Sequence, residues 1–210
     1  MTIPFPCNPK FVTVVNSEGR HMATIQANRA TLGGTEMQWA IQGKKMQLTL
    51  ESSVPVSWLK LRWPVEFNTH ALFFGDEVER GYGHMGWSQM KPNRILPWYM
   101  MIDQHQGTTG IGVQTQPNAF CFWQVDPDGI TLNLDVRNGG DGVRLGDRRL
   151  ELATIITATY SHISSFAATA KFCHLMNPNP LLPDDSVYGS NNWYYAYGKS
   201  SAEQIVKDSH

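Results

Sequence analysis

At 210 residues, 41% of them hydrophobic, the chain has room for one large domain or a domain plus a fragment, and two full α/β domains do not fit. With 17 basic and 18 acidic residues, a formal charge of -1 and no run of lysine or arginine, it offers no electrostatic footprint for nucleic acid or for an anionic membrane surface. No window is apolar over the length a bilayer requires, and MTIPFPCNPKF lacks the basic and apolar regions of a signal peptide, so the expected location is the cytoplasm.

From residue 11 to residue 160 the dominant signal is period two. Met46, Leu48 and Leu50 alternate with Gln47, Thr49 and Glu51, and Ile130, Leu132, Leu134 and Val136 alternate with Thr131, Asn133, Asp135 and Arg137. Successive side chains of a strand point to opposite faces, so these segments read as strands with one dry and one wet face. Turn residues separate them: Asn16-Ser17-Glu18-Gly19, Gly33-Gly34, Asp126-Pro127-Asp128-Gly129 and Asn138-Gly139-Gly140-Asp141-Gly142. Many short strands without intervening helices predict a mainly β fold, a large antiparallel β-sandwich over residues 1–160.

Within this region, residues 76–87 form a glycine-punctuated loop dense in functional side chains: Asp76, Glu77, Glu79, Arg80, Tyr82, His84 and Trp87. Asp76, Arg80 and Trp87 are candidates to contact a ligand. The structural alternative is an exposed Glu79–Arg80 ion pair with Trp87 as a plug between domains. Asp135 and Glu151 sit in strand alternation, where a solvated face accounts for them without catalysis.

The period changes after Tyr160. Ile163, Phe166, Ala170 and Cys173 recur at helical spacing, which predicts a helix over 164–176, and Asn177-Pro178-Asn179-Pro180 stops it. Residues 161–186 are thus a helix and a proline-rich linker. Residues 187–210 read as a strand over 187–190, a polar and aromatic turn, and a second helix. Ser200 or Ser201, followed three residues later by Glu203 or Gln204 before Ile205 and Val206, is the signature of that helix's start. This order is the first unit of a β/α repeat. Cys7, Cys121 and Cys173 are scattered and odd in number, which predicts small buried hydrophobes rather than disulfides, and no histidine or cysteine spacing suits a metal. No cofactor is expected.

Four blocks in order, "GDEVERGYGHMGWS", "PWYMM", "WQVDPDGITLNLDVRNGGDGVRLGDRRLELATI" and "NPNPLLPDDSVYGSNNWYYAYG", resemble the N-terminal part of melibiase-type α-galactosidases and their bacterial relatives. The resemblance runs from about Ala71 to the C-terminus. It implies a β-sandwich (supersandwich) joined by a helical linker to a catalytic (β/α)8 barrel, of which residues 187–210 would be the truncated first unit. It further implies retaining cleavage of terminal α-linked sugars, which takes two carboxyl groups about 5–5.5 Å apart. In the family these lie on later barrel strands, so no catalytic residue is assigned in this chain.

Residues at the end of the first barrel strand face the active site. Asn191, Asn192 and Trp193 are therefore expected to touch the sugar, although packing at the barrel bottom is the alternative. In relatives the loop matching 76–87 extends toward the sugar pocket of its own or a neighbouring subunit, and many carry an acidic residue where His84 stands here. The expected partners are an α-galactoside-like carbohydrate, the chain's own barrel and possible further copies in a homo-oligomer. A non-catalytic carbohydrate-binding or assembly module is the other reading of the same residues.

Overall fold

The computed structural model describes residues 5–25, 27–104, 107–137, 140–189 and 191–209. Its first compact unit, Met1–Pro178, is built from thirteen described strands and one helix. The strands are β1 (Phe11–Asn16), β2 (Gly19–Thr24), β3 (Arg29–Leu32), β4 (Thr35–Gln42), β5 (Lys45–Ser52), β6 (Val56–Pro64) and β7 (Leu72–Gly75). They continue as β8 (Leu96–Pro97), β9 (Tyr99–Asp103), β10 (Thr108–Val113), β11 (Phe120–Asp126), β12 (Gly129–Asp135) and β13 (Leu150–Tyr160). All described pairings are antiparallel, in two sheets ordered β2-β1-β6-β12-β11-β8 and β3-β4-β5-β13-β10-β9-β7.

The alternation read from the sequence decides which faces meet. Ile130, Leu132 and Leu134 of β12 are fully buried and Val136 nearly so, in the same core as Met46, Leu48 and Leu50 of β5 in the other sheet. One core between two sheets makes the unit a β-sandwich, and burial of these side chains contributes about 1.5–3 kcal/mol each before entropy is subtracted. Three buried tryptophans keep their indole N–H groups satisfied: Trp63 donates to the Cys7 carbonyl (2.8 Å), Trp39 to Asn8 Oδ1 (2.8 Å) and Trp123 to the Trp98 carbonyl (3.2 Å). Turns fall where glycine permits them, as at Asn16–Gly19 and Asp126–Gly129. Asn138 and Gly139 of the fourth expected turn lie outside the described residues.

Between β8 and β9 the chain passes from the first sheet to the second through a single residue, Trp98, with φ 65°. Its backbone is held at both ends: its N–H donates to the Cys121 carbonyl (3.0 Å), and its carbonyl accepts from Val113 N (2.9 Å) as well as from the Trp123 indole. The connection from β10 to β11 makes the return crossing, and Gln116 within it also has a left-handed backbone, φ 64°.

The helix over 164–176 forms as α1 (Ser165–Met176), with Ser164 as N-cap accepting from Ala167 N (3.2 Å). The stripe it buries is Ala168, Phe172 and Met176, against Met101 of β9 and Ile156 and Ala158 of β13. This corrects the expected face, since Ile163, Phe166, Ala170 and Cys173 are all exposed, Phe166 to 83%. The reason lies in β10. A Cβ on Gly110 would sit 2.5 Å from the Phe172 ring and one on Gly112 2.9 Å from it, so the two glycines form the slot that admits Phe172. Because α1 packs on the second sheet, the first compact unit ends at Pro178 rather than at residue 160.

The second unit, Asn179–His210, holds α2 (Trp193–Ala196) and α3 (Ala202–Asp208). Residues 187–189 of the expected strand make no ladder, and Ser190 lies outside the described residues. A strand exists only with a partner for its N–H and C=O groups, and none is present among the described residues of this unit. The start of α3 matches the sequence signature in part: Ser201 accepts from Gln204 N (3.2 Å), but the Gln204 amide reaches forward to Asp208 Oδ1 (2.7 Å) instead of back to the cap.

Cys121 is buried and its thiol is pushed up to about 12 by desolvation, whereas Cys173 is exposed, contrary to expectation. Native protein treated with iodoacetamide at pH 8 should leave Cys121 unmodified until denaturant is added, and mass spectrometry of tryptic peptides reads this directly. Among the described residues no helix is long and apolar enough to cross a membrane.

A candidate functional site on the second sheet

The outer face of the second sheet, away from the core, is partly covered by α1. Beside the C-terminal end of that helix lies a cavity of about 430 Å³, lined by Asp76, Trp98, Tyr99, Thr115, Gln116 and Met176 among others. Its walls come from four places: the end of β7, the β8–β9 and β10–β11 crossings, and the last residue of α1. Local sequence explains the closeness of these pieces. Gly75 lets β7 approach β9, since a Cβ there would lie 2.7 Å from the Tyr99 carbonyl oxygen. Thr115 N donates to the Met176 carbonyl (3.2 Å), which ties the return crossing to α1.

Asp76 is nearly buried and is the one carboxylate on the cavity wall among the described residues. Arg80 binds it in fork geometry, Nε donating to Oδ1 at 2.8 Å and Nη2 to Oδ2, and Glu77 N donates to Oδ1 at 2.9 Å. The expected Glu79–Arg80 pair is therefore replaced by Asp76–Arg80, four residues apart, the spacing at which side chains in a helical turn meet. The Arg80 hydrogen bond holds the Asp76 carboxyl below the usual carboxylate range, with the Glu77 N–H adding to it and burial opposing.

The sign for stability follows from that direction. A depressed folded-state value stabilises the fold above the unfolded value, near pH 4, and the contribution disappears as pH falls through the folded value. Thermal melts from about pH 5 downward should show a steeper loss in the wild type than in Asp76→Asn, and parallel curves would contradict the assignment.

The rest of the 76–94 segment is pinned from one point. Arg94 donates to Glu77 Oε1 (2.9 Å), to the His84 carbonyl (2.9 Å) and to Ser88 Oγ (3.3 Å), and both Arg94 and Glu77 are largely buried. His84 thus contributes its backbone. Trp87 does not line the cavity. It stacks on Phe74 (centroids 5.4 Å, 27°), and Phe74 in turn lies 6.4 Å from Tyr99, which does. Burial, with the neighbouring Cys173 adding to it, raises the Tyr99 hydroxyl well above its ordinary range, so it is a neutral donor at any physiological pH.

Trp98, Tyr99 and Gln116 were not singled out by sequence reasoning. "PWYMM" marks Trp98 and Tyr99 as part of a distinctive block, yet nothing local shows that the chain changes sheets there.

In the second unit, Asn191 Oδ1 accepts from Trp193 N (2.8 Å), and Asn192 Oδ1 accepts from Ser200 Oγ (3.1 Å). Asn192 Nδ2 is buried without a partner among the described residues, and Trp193 is 56% exposed with its ring tilted on Tyr197 at 6.0 Å. These three residues belong to a different unit from Asp76, Arg80 and Trp87.

Fold and site together define a mainly β protein: an antiparallel β-sandwich with an aromatic-walled, carboxylate-bearing cavity at the corner where its sheets are joined. No protein-family model matches the chain, and no curated protein matches it. Among solved structures it is similar to the α-N-acetylgalactosaminidase NagBb from Bifidobacterium bifidum, determined in complex with Gal-NHAc-DNJ, at 8% sequence identity and a TM-score of 0.44. The similarity covers 83% of this chain and 34% of that one, so the chain spans about a third of that protein's length.

Proposed function

We propose that this chain is the non-catalytic N-terminal region of a retaining, α-galactosidase-like glycoside hydrolase, and that its cavity binds a terminal sugar of an α-galactoside. One observation carries the reading: two of the four sequence blocks behind the resemblance, "GDEVERGYGHMGWS" and "PWYMM", line a single cavity, Asp76 from one and Trp98 and Tyr99 from the other. The chemistry suits a sugar. Aromatic rings offer an apolar plane to the C–H face of a pyranose, the Tyr99 hydroxyl can donate or accept, and Asp76 Oδ2 keeps room to accept from a hydroxyl beside its bond to Arg80.

One carboxylate already bound to a guanidinium does not make a nucleophile and acid pair, so this cavity holds and does not cleave. Under the same reading, Asn191, Asn192 and Trp193 are further sugar contacts at the first unit of the barrel. The unpartnered Nδ2 of Asn192 and the exposed indole of Trp193 support that role.

Calorimetric titration of the 210-residue chain with methyl α-galactoside should give saturable binding that weakens at least about tenfold, or about 1.4 kcal/mol, in Trp98→Ala. The same material should not turn over p-nitrophenyl α-galactoside. Absence of saturable binding by folded protein would overturn the sugar assignment, and turnover lost on replacing an Asp or Glu of this chain would overturn the non-catalytic one.

A further inference from the structure

The aromatic cavity is not an isolated hole. It shares Thr115, Gln116 and Pro117 with a neighbouring hollow of about 250 Å³, and that hollow shares Gln47 and Glu151 with a third of about 240 Å³ that reaches Gln38 and Arg149. Gln38 is on β4, Gln47 on β5 and Glu151 on β13, while Gln114 directly follows β10. All lie on the outer face of the second sheet, the side left open where α1 stops. Four steps across the sheet, from β4 to β9, at about 4.8 Å each, give a trough of about 19 Å. We propose that this trough binds a neutral oligosaccharide of three to four sugar rings, with the aromatic cavity as one end and the amide-lined stretch as its polar arm.

The lining selects the ligand class. Gln38, Gln47, Gln114, Gln116 and Asn118 each carry an acceptor and an N–H donor on one planar group, which matches adjacent sugar hydroxyls; the Gln38, Gln47 and Asn118 nitrogens give one proton to Glu36 Oε1, Glu151 Oε2 and the Glu151 carbonyl and keep the second. An apolar ligand would strip water from these amides and return no hydrogen bond. An acidic polymer would meet Glu151 and would find one cation in the arm, Arg149, already donating to Thr49 Oγ1 (2.9 Å) and lying 3.8 Å from Glu51.

The arm is also held in place before any ligand arrives. β13 has a bulge between Glu151 and Ala153, and the carbonyls it leaves outside the ladder are taken by Asn118: its N–H donates to Leu152 O (2.9 Å) and its Nδ2 to Glu151 O (2.6 Å). Gln114 N donates to Thr154 O (2.8 Å), and Thr115 N to Met176 O. These anchors hold Gln116 in its left-handed conformation, a strain that non-glycine residues accept when the surroundings dictate it. Gln47 is oriented by its own bond to Glu151 Oε2 (2.7 Å). A rigid polar arm loses little entropy on binding.

The cavity end rests on the sugar reading given above, but the arm does not, and the experiment separates them. Isothermal titration of the full chain would use stachyose, maltotetraose and tetragalacturonic acid, with methyl α-galactoside and glucose as single-ring references. At least one neutral tetrasaccharide should bind at least about tenfold tighter than its single-ring reference, and the acidic one should bind no better than the references. Gln47→Leu combined with Gln114→Leu, both at solvent-accessible positions, should abolish the gain from length while leaving methyl α-galactoside binding and the melting temperature unchanged.

Failure of both neutral tetrasaccharides to bind tighter than one ring, or a gain that survives the double variant, overturns the trough and leaves the cavity assignment standing. A gain from length without binding of methyl α-galactoside leaves the trough standing and removes the cavity assignment. Tighter binding of tetragalacturonic acid overturns the neutral class.

Discussion

Replacing Phe172 by alanine should undock α1 from the second sheet, whereas the same change at Phe166 should do almost nothing. Phe172 is fully buried in the slot over Gly110 and Gly112, and truncating a buried phenylalanine costs about 3–5 kcal/mol through lost transfer energy and the cavity left behind. Phe166 is 83% exposed, so its ring contributes little to packing. Hydrogen exchange of the α1 amides reads the difference: protection should fall by at least about a hundredfold in Phe172→Ala and stay within about twofold of wild type in Phe166→Ala. Because Met176 walls the cavity, Phe172→Ala should also lose methyl α-galactoside binding. Equal protection in the two variants would mean that α1 is held by something other than its Phe172 stripe.

Gly129→Ala should be among the most damaging single-methyl additions in the chain. Gly129 has φ 141°, and a Cβ there would lie 2.1 Å from the Trp63 carbonyl oxygen and 2.8 Å from Val65 N, both backbone atoms of the adjoining strand end that no side-chain rotation can move. The clash strikes at the β11–β12 turn, beside the β12–β6 pairing that starts at Gly129↔Pro64. Strain of this kind together with a broken ladder costs about 3 kcal/mol or more. Gly43 is the control. It too has a left-handed backbone, φ 57°, at the β4–β5 turn, but nothing lies within 4 Å of its added Cβ. Gly43→Ala should therefore cost only the conformational penalty of about 1–2 kcal/mol. Chemical denaturation of the two variants compares them, and equal midpoints would show that the contact with the Trp63 carbonyl relaxes freely.

The core was legible where one face of a strand is dry, as at Met46, Leu48 and Leu50 or Ile130 to Val136, because period two leaves a single choice of inward face. The existence of α1 was legible too, but its orientation was not. The helix and the residues leading into it carry two apolar stripes, Ile163-Phe166-Ala170-Cys173 and Ala168-Phe172-Met176, and spacing alone ranks neither above the other. The choice is made by Gly110 and Gly112, far away in sequence, which provide room for one ring.

The site shows the same limit. Asp76 and Arg80 could be picked from the composition of their loop, although their pairing with each other could not. Trp98 and Gln116 owe their positions to left-handed backbone at the β8–β9 and β10–β11 crossings, and neither residue type announces such a conformation. Only long-range pairing forces it.

The place of β13 has a consequence for how the chain is made. It is the last of the described strands, yet it lies in the middle of the second sheet, between β5 and β10. During synthesis from the N-terminus, β3-β4-β5 and β10-β9-β7 are two separate half-sheets until residue 160 has left the ribosome, each with an unpaired inner edge. The edge of β10, Thr108–Val113, is buried along its whole length in the finished protein. Before β13 arrives it is an open strand of the kind that recruits other chains; β13 closes it through pairs such as Thr108↔Tyr160 and closes the facing edge of β5 through pairs such as Met46↔Ile155, across more than a hundred residues, the kind of pairing that forms slowly. Recovery of soluble protein should therefore depend on the interval between the emergence of β10 and that of β13, an interval that a chaperone binding extended apolar segments would cover.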